Sequence, residues 1–175
     1  MTPSKGSYLY VTDAAGQVAA SPTALPTTFP LAGADLSDTP YSEVSGDWTQ
    51  IECVEEIDGI DDIENETVDH RCLDATAPLV EKFPTGYLNA SPITVTTTYD
   101  SAKETYFRAK RNAGSKVRLL FVLPLAENQT TSPDRWAWKA KVTKCTPMVD
   151  ASGQPAKLKL EFQLVDDSGL YVAGS

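Results

Sequence analysis

The residues with chemistry to offer are few, and most of them gather in one stretch of the chain. His70 is the sole histidine, and with Cys53, Cys72 and Cys145 it bounds any catalytic or metal-binding kit. A Ser-His or Cys-His pair would have to be built on His70, yet no Ser or Cys near it stands in a nucleophile-elbow context. His70 and Cys72 fall on one strand face by parity, and Cys53 would lie across from them if the chain turned near Asp62, a conceivable three-ligand metal set. A structural histidine beside reduced, packed thiols asks for less, since three cysteines form no even disulfide framework. Asp58-Gly59-Ile60-Asp61-Asp62 has the composition of a calcium loop without its spacing: the glycine stands second, not sixth, and no bidentate Glu follows at the twelfth place. No phosphate loop or dinucleotide fingerprint is present. The expectation is a protein without metal, cofactor or catalytic role.

Charge is the stronger signal. From Glu52 to Asp74 ten carboxylates face one base, Arg71, while Ile51, Val54, Ile57, Ile60, Ile63, Val68 and Leu73 run between them. A purely acidic tail lacks those β-branched residues, so the stretch predicts two strands, about 47 to 57 and 66 to 74, joined by an acidic tip. So many like charges stay exposed, because burying them unpaired is too costly. The chain up to Val80 holds fifteen acids and two bases, and from Glu81 on nine acids and thirteen bases, so nets of −13 and +4 make up the −9 of the whole. Complementary patches steer association and fix register more than they supply affinity, so this dipole fits head-to-tail contact between copies. The candidate contacts are Asp58, Asp61, Asp62 and Glu64 on one side and Lys110, Arg111, Lys139 and Lys141 on the other. An acidic balance also excludes a nucleic-acid-binding footprint.

The elements that must position these groups are mostly strands within a single domain covering 1–175. Tyr8 to Thr12 before Asp13-Ala14-Ala15-Gly16 reads as a strand and tight turn. The stretch 19–46, rich in Pro, Thr, Ser and Ala, is too long for an ordinary connection and reads as an extended arm or a loop ordered by a neighbour. Ile93, Val95, Thr97 and Tyr99 alternate with Thr94, Thr96 and Thr98. Ser101 with Glu104 has a capping-box pattern and opens one short helix that Gly114 stops. Lys116 to Leu123, Arg135 to Cys145 and Leu158 to Leu164 then alternate with period two, each with one apolar face. No run approaches membrane-span length and no apolar core follows Lys5, so neither a membrane span nor a secretory signal is expected, and the protein is expected to be soluble and made in a cytoplasm.

The order of strand, long arm, acidic hairpin at 47–75, alternating Ile93 to Tyr99 strand, capped helix at Ser101 to Ala113 and further strands resembles the major tail tube proteins of long-tailed, siphovirus-like phages. The resemblance implies a mainly β fold, an antiparallel sandwich or barrel with one short flanking helix. It further implies hexameric rings stacked into a tube that passes the genome without binding it specifically, located in the virion tail and assembled in the host cytoplasm. Tape-measure and tail-completion proteins would be its other partners. A different reading, a glycan-binding or adhesin-like sandwich, would use Trp48, Trp136, Trp138 and Tyr171 as an aromatic platform.

Overall fold

A computed structural model describes residues 7–13, 25–41, 47–60, 63–71, 80–90, 92–149, 152–165 and 170–175, with the backbone alone for 34, 63–71, 80–90, 170 and 171. It contains β1 (Tyr8–Asp13), β2 (Thr49–Gln50), β3 (Val54–Asp58), β4 (Ile63–Arg71), β5 (Val80–Ala90), β6 (Ile93–Thr98), α1 (Ser101–Ala113), β7 (Lys116–Val122), β8 (Arg135–Met148), β9 (Lys157–Leu164) and β10 (Leu170–Val172). One antiparallel sheet runs β2-β1-β7-β8-β9-β6-β3, with β10 added to β8, and β4 pairs β5 as a separate ribbon.

The two ends of that sheet are one piece of chain. Ile51 donates to the Leu9 carbonyl at 2.8 Å, still alongside β1, whereas the Cys53 carbonyl already accepts from Thr98 at 3.2 Å, alongside β6. Two Cα steps span at most about 7.6 Å, so β1 and β6 are drawn together and the sheet rolls into a barrel. Cys53 takes the left-handed φ of 54° that turns the chain, and a bulge between Val54 and Glu56 follows. The alternation read in the sequence fills the interior: Leu9, Val11, Ile57, Ile93, Val95, Val117, Leu119, Trp138, Ala140, Val142, Leu158, Leu160 and Phe162 form one buried cluster.

The junction is sealed by a buried lysine. Lys103, on the first turn of α1, donates to the Glu52 carbonyl (3.2 Å), Thr97 Oγ1 (2.9 Å) and the Thr98 carbonyl (3.1 Å), and Thr97 Oγ1 itself donates to Glu52 at 2.6 Å. All three ammonium donors therefore meet acceptors, none of them a carboxylate, and burial pulls the Lys103 pKa down. Asp100 rather than Ser101 caps the helix, its carboxylate accepting from the Lys103 backbone at 2.9 Å. Glu104, expected to close a capping box, instead pairs with Arg108 and accepts from the Tyr99 hydroxyl. Gly114 ends the helix at φ 63°, as its position promised.

Three expectations need correction. The two strands predicted for the 47–75 hairpin do not pair with each other, because β3 pairs β6 and β4 pairs β5. After β3 the chain passes close to the start of β6 at Gly59, where at φ 80° a Cβ would lie 2.4 Å from the Pro92 carbonyl oxygen, so glycine is required there. The 19–46 stretch is no extended arm over residues 25–41, where Leu25 and Leu31 bury themselves with Tyr10, Trp48, Leu120, Val122 and Ala137 on the outer face of β1, β7 and β8. Its apolar residues are enough to cover their own sheet, and residues 19–24 and 42–46 lie outside the described set. The third concerns β7, which is buried on both faces beyond Lys116 because that loop covers its second side.

The helix is also tied to β1 through charge. Lys110 Nζ lies 2.7 Å from Asp13 Oδ1, each side chain 9% exposed, with the Tyr106 hydroxyl donating to the same oxygen at 3.1 Å. Asp13→Ala takes the carboxylate from a buried ammonium, and a loss of about 3–5 kcal/mol is expected in urea unfolding, most of which returns when Lys110→Met is added. Tyr41, whose hydroxyl donates to the Gln50 carbonyl at 3.2 Å, is pushed well above its ordinary 10.0 by burial, with Glu52 and Asp100 acting the same way. The folded state therefore holds this proton more tightly, so its stabilisation is intact below about pH 10 and drains away as pH rises and the unfolded phenol ionises first. Tyr41→Phe should cost about 1 kcal/mol near neutrality. Its deficit against the parent should hold to about pH 9 and shrink as pH rises past about 10 in unfolding titrations.

Candidate assembly surface

The wet outer face of the barrel carries the charged residues, and strand register sorts them. On β7 and β8, Lys116 stands opposite Lys141 and Arg118 opposite Lys139, a block of four bases in adjacent ladder positions. Like charges placed so are unfavourable, and the face offsets this within one corner: Arg118 is buried with its guanidinium 6.0 Å from the Trp48 ring centre, and burial lowers its pKa. Lys139 is half-buried and Lys141 exposed. Farther along β8 the positive charge is matched, since Lys144 stands opposite Glu161, and Lys157 pairs with Glu55 of β3 at 2.6 Å. Positive character is thus concentrated where β7 meets β8.

The sequence candidates separate on this map. Asp58 is exposed at the end of β3, its carboxylate accepting from the Gly59 N–H at 3.0 Å. Glu64 lies on β4 opposite Asn89, while Asp61 and Asp62 lie outside the described residues. Asp58 and Glu64 therefore flank the entry to the β4–β5 ribbon. Lys139 and Lys141 share one face of β8, and Arg111 lies on the last turn of α1 with its guanidinium donating to Asn112 Oδ1 at 3.3 and 3.1 Å. Lys110 is a correction: buried against Asp13 and 5.3 Å from the centre of the Tyr106 ring, it is committed inside its own subunit. Lys103 and Arg135 are likewise buried, so part of the basic half's charge never reaches the surface.

The β4–β5 ribbon pairs with no other described strand. At 9 and 11 residues its strands are long, and a lone two-stranded ribbon is marginally stable in water. In register Asp69 faces Lys82 and His70 faces Glu81. Cys72 lies outside the described residues and Cys53 is an exposed free thiol, so the conceivable His70 metal set is not assembled by what is described, and among the described residues no cluster of three or more metal-ligating groups occurs. The aromatic platform fares differently: Trp48 and Trp138 are buried, Trp136 packs on Phe121, and the side chain of Tyr171 is outside the description.

A cleft of about 480 Å³ opens between residues 36–41 and 48–52 and the start of α1, lined among others by Pro40, Tyr41, Trp48, Glu52, Asp100 and Lys103. Sequence reading missed this junction, the Asp13–Lys110 pair and the locking of Gly174 against Gln129 and Ser132. The pair had a faint signal in the helical spacing of Tyr106 and Lys110 on one face. Nothing in the sequence foretold the other two.

No protein-family model matches the chain, and no curated protein sequence matches it. Solved structures do. A chain of the 6-fold symmetrised baseplate of the anti-feeding prophage (AFP) aligns over 99% of this chain and 97% of its own length, with 14% identity and a TM-score of 0.56. A chain from the tail of an empty GTA particle with C6 symmetry aligns over 74% of this chain and 89% of its own, with 15% identity and a TM-score of 0.52. The fold is the mainly antiparallel, one-helix, tail-tube-like architecture that the sequence resembles.

Proposed function

We propose that this protein is a structural virion subunit whose copies close into hexameric rings and stack into a phage tail tube, a conduit for genome passage. The observation that carries the reading is the near end-to-end fold likeness to a chain of a 6-fold symmetrised baseplate, joined by a likeness to a chain of a C6-symmetric tail. The charge layout is what stacking needs. An acidic ribbon entry, Asp58 with Asp61, Asp62 and Glu64, faces the Lys139–Lys141 block and Arg111 of the next ring, with Lys110 withdrawn from the set. A net charge of −9 keeps passing DNA from being held. Tape-measure and tail-completion proteins complete the set of partners, and the role requires no catalysis. The glycan-binding reading loses its support with the burial of Trp48 and Trp138.

Negative-stain microscopy of the purified protein is the direct test, with rings and tubes expected. Exposed ion pairs weaken once the screening length falls to about 3 Å near 1 M salt, so tubes should form more slowly there than at about 0.01 M. Equal rates at both would remove the charge contact from the proposal. Replacing Asp58, Asp61, Asp62 and Glu64 by lysines should leave circular dichroism unchanged, the cost at exposed Asp58 being about 0.5 kcal/mol or less. The same variant should abolish tubes, and adding Lys139→Glu and Lys141→Glu to it should restore them by reversing both sides. Tubes of normal length from the lysine variant alone would show that the ribbon entry is not the inter-ring contact.

A further inference from the structure

Three backbone N–H groups in succession converge on one oxygen. Thr130, Thr131 and Ser132 donate to the Ser175 carbonyl at 2.9, 2.7 and 3.1 Å. Successive N–H groups aimed at a single acceptor make a nest, a device that proteins use to hold chain segments and anions. The grip is reciprocal: Ser175 N–H donates to the Ser132 carbonyl at 3.0 Å, and the two serine hydroxyls lie 3.1 Å apart. One residue earlier, Gly174 N–H donates to Asp134 Oδ1 at 2.6 Å, and Gln129 Nε2 holds the same carboxylate oxygen at 2.8 Å.

The fit also reads side-chain size. A Cβ on Gly174 would lie 2.3 Å from both Gln129 Nε2 and the Ser132 carbonyl, the second of which is backbone and has no flexible end to move aside. Only glycine enters. Upstream, β10 pairs with Arg135–Ala137 of β8, and Val172 packs on the outer apolar cluster, so the bound segment also closes that cluster's edge.

We propose that the 126–134 loop is a segment-binding clamp specific for a Gly-Ser step, filled in the subunit by residues 174 and 175, which latch β10 over β8. The latch itself is made of hydrogen bonds between 129–134 and 174–175, outside the barrel's own strand ladders, so it opens as a local unit while the barrel stays closed. This site is independent of ring formation, and its test runs on the unassembled full chain.

Amide exchange followed residue by residue supplies the test. In the parent protein the amides of Thr130, Thr131 and Ser132 should exchange slowly, since Ser175 is their acceptor. Gly174→Ala should speed all three by about tenfold or more and leave β7 and β9 unchanged, as expected for opening of a local unit. Adding the capped peptide acetyl-Tyr-Val-Ala-Gly-Ser-amide to that variant should restore their protection in a dose-dependent way, whereas acetyl-Tyr-Val-Ala-Ala-Ser-amide should not. Fast exchange of the three amides in the parent, or equal action of the two peptides, would overturn the proposal.

Discussion

Closure of the barrel hangs on the three residues Ile51, Glu52 and Cys53. They carry the chain from the flank of β1 to the flank of β6, and no sheet of this order could stay open with its ends joined so closely. Everything near the crossing serves it: the left-handed turn at Cys53, the Thr97 hydroxyl on the Glu52 carbonyl, and Lys103 beneath both. A carbonyl buried at a strand exchange loses its ladder partner, and the lysine supplies the missing donor. The interior then needs only apolar side chains of the right parity, which the strands provide.

The barrel's cations explain why a chain so rich in acid is not simply a charged ball. Lys103, Lys110, Arg118 and Arg135 are all buried. Three of them are matched, each differently: Lys103 by three neutral acceptors, Lys110 by a carboxylate with a phenol and Arg118 by a tryptophan face, whereas Arg135 donates to the Pro133 carbonyl through Nη1 and its buried Nε meets no partner among the described residues. Because Arg118 is among these buried bases, the basic block at β7 and β8 meets solvent only through Lys116, Lys139 and Lys141. Sorting of charge by burial, more than the count along the chain, gives the surface its polarity.

Local pattern was legible in the sequence and partnership was not. Ile93 to Thr98, Leu158 to Phe162 and the helix from Ser101 to Gly114 were readable because alternation, helical spacing and a left-handed glycine are properties of neighbouring residues. Which strand lies beside which depends on distant chain, so the single strand expected at 47–57 is divided between β2 beside β1 and β3 beside β6, and β3 was assigned the wrong partner. The same reason hid the buried state of Lys110, whose fate is set by Asp13 far along the chain. Of the proposed contact residues, Lys139 and Lys141 were found together on one face because strand parity alone places them so.

The outer side of β3 has a consequence for colloidal behaviour. Among the described strands it pairs with β6 alone, which leaves Val54–Asp58 as a sheet edge with backbone groups turned outward. Such an edge is a template for indiscriminate strand addition, and Glu56 and Asp58 place like charge along it beside the Glu55–Lys157 pair. Electrostatic repulsion thus acts as a guard against fibrous clumping, and its reach depends on ionic strength. Near 1 M salt that reach falls to about 3 Å, the guard lapses and the edge becomes adhesive toward its own kind, so precipitation there would begin from native, still-folded molecules.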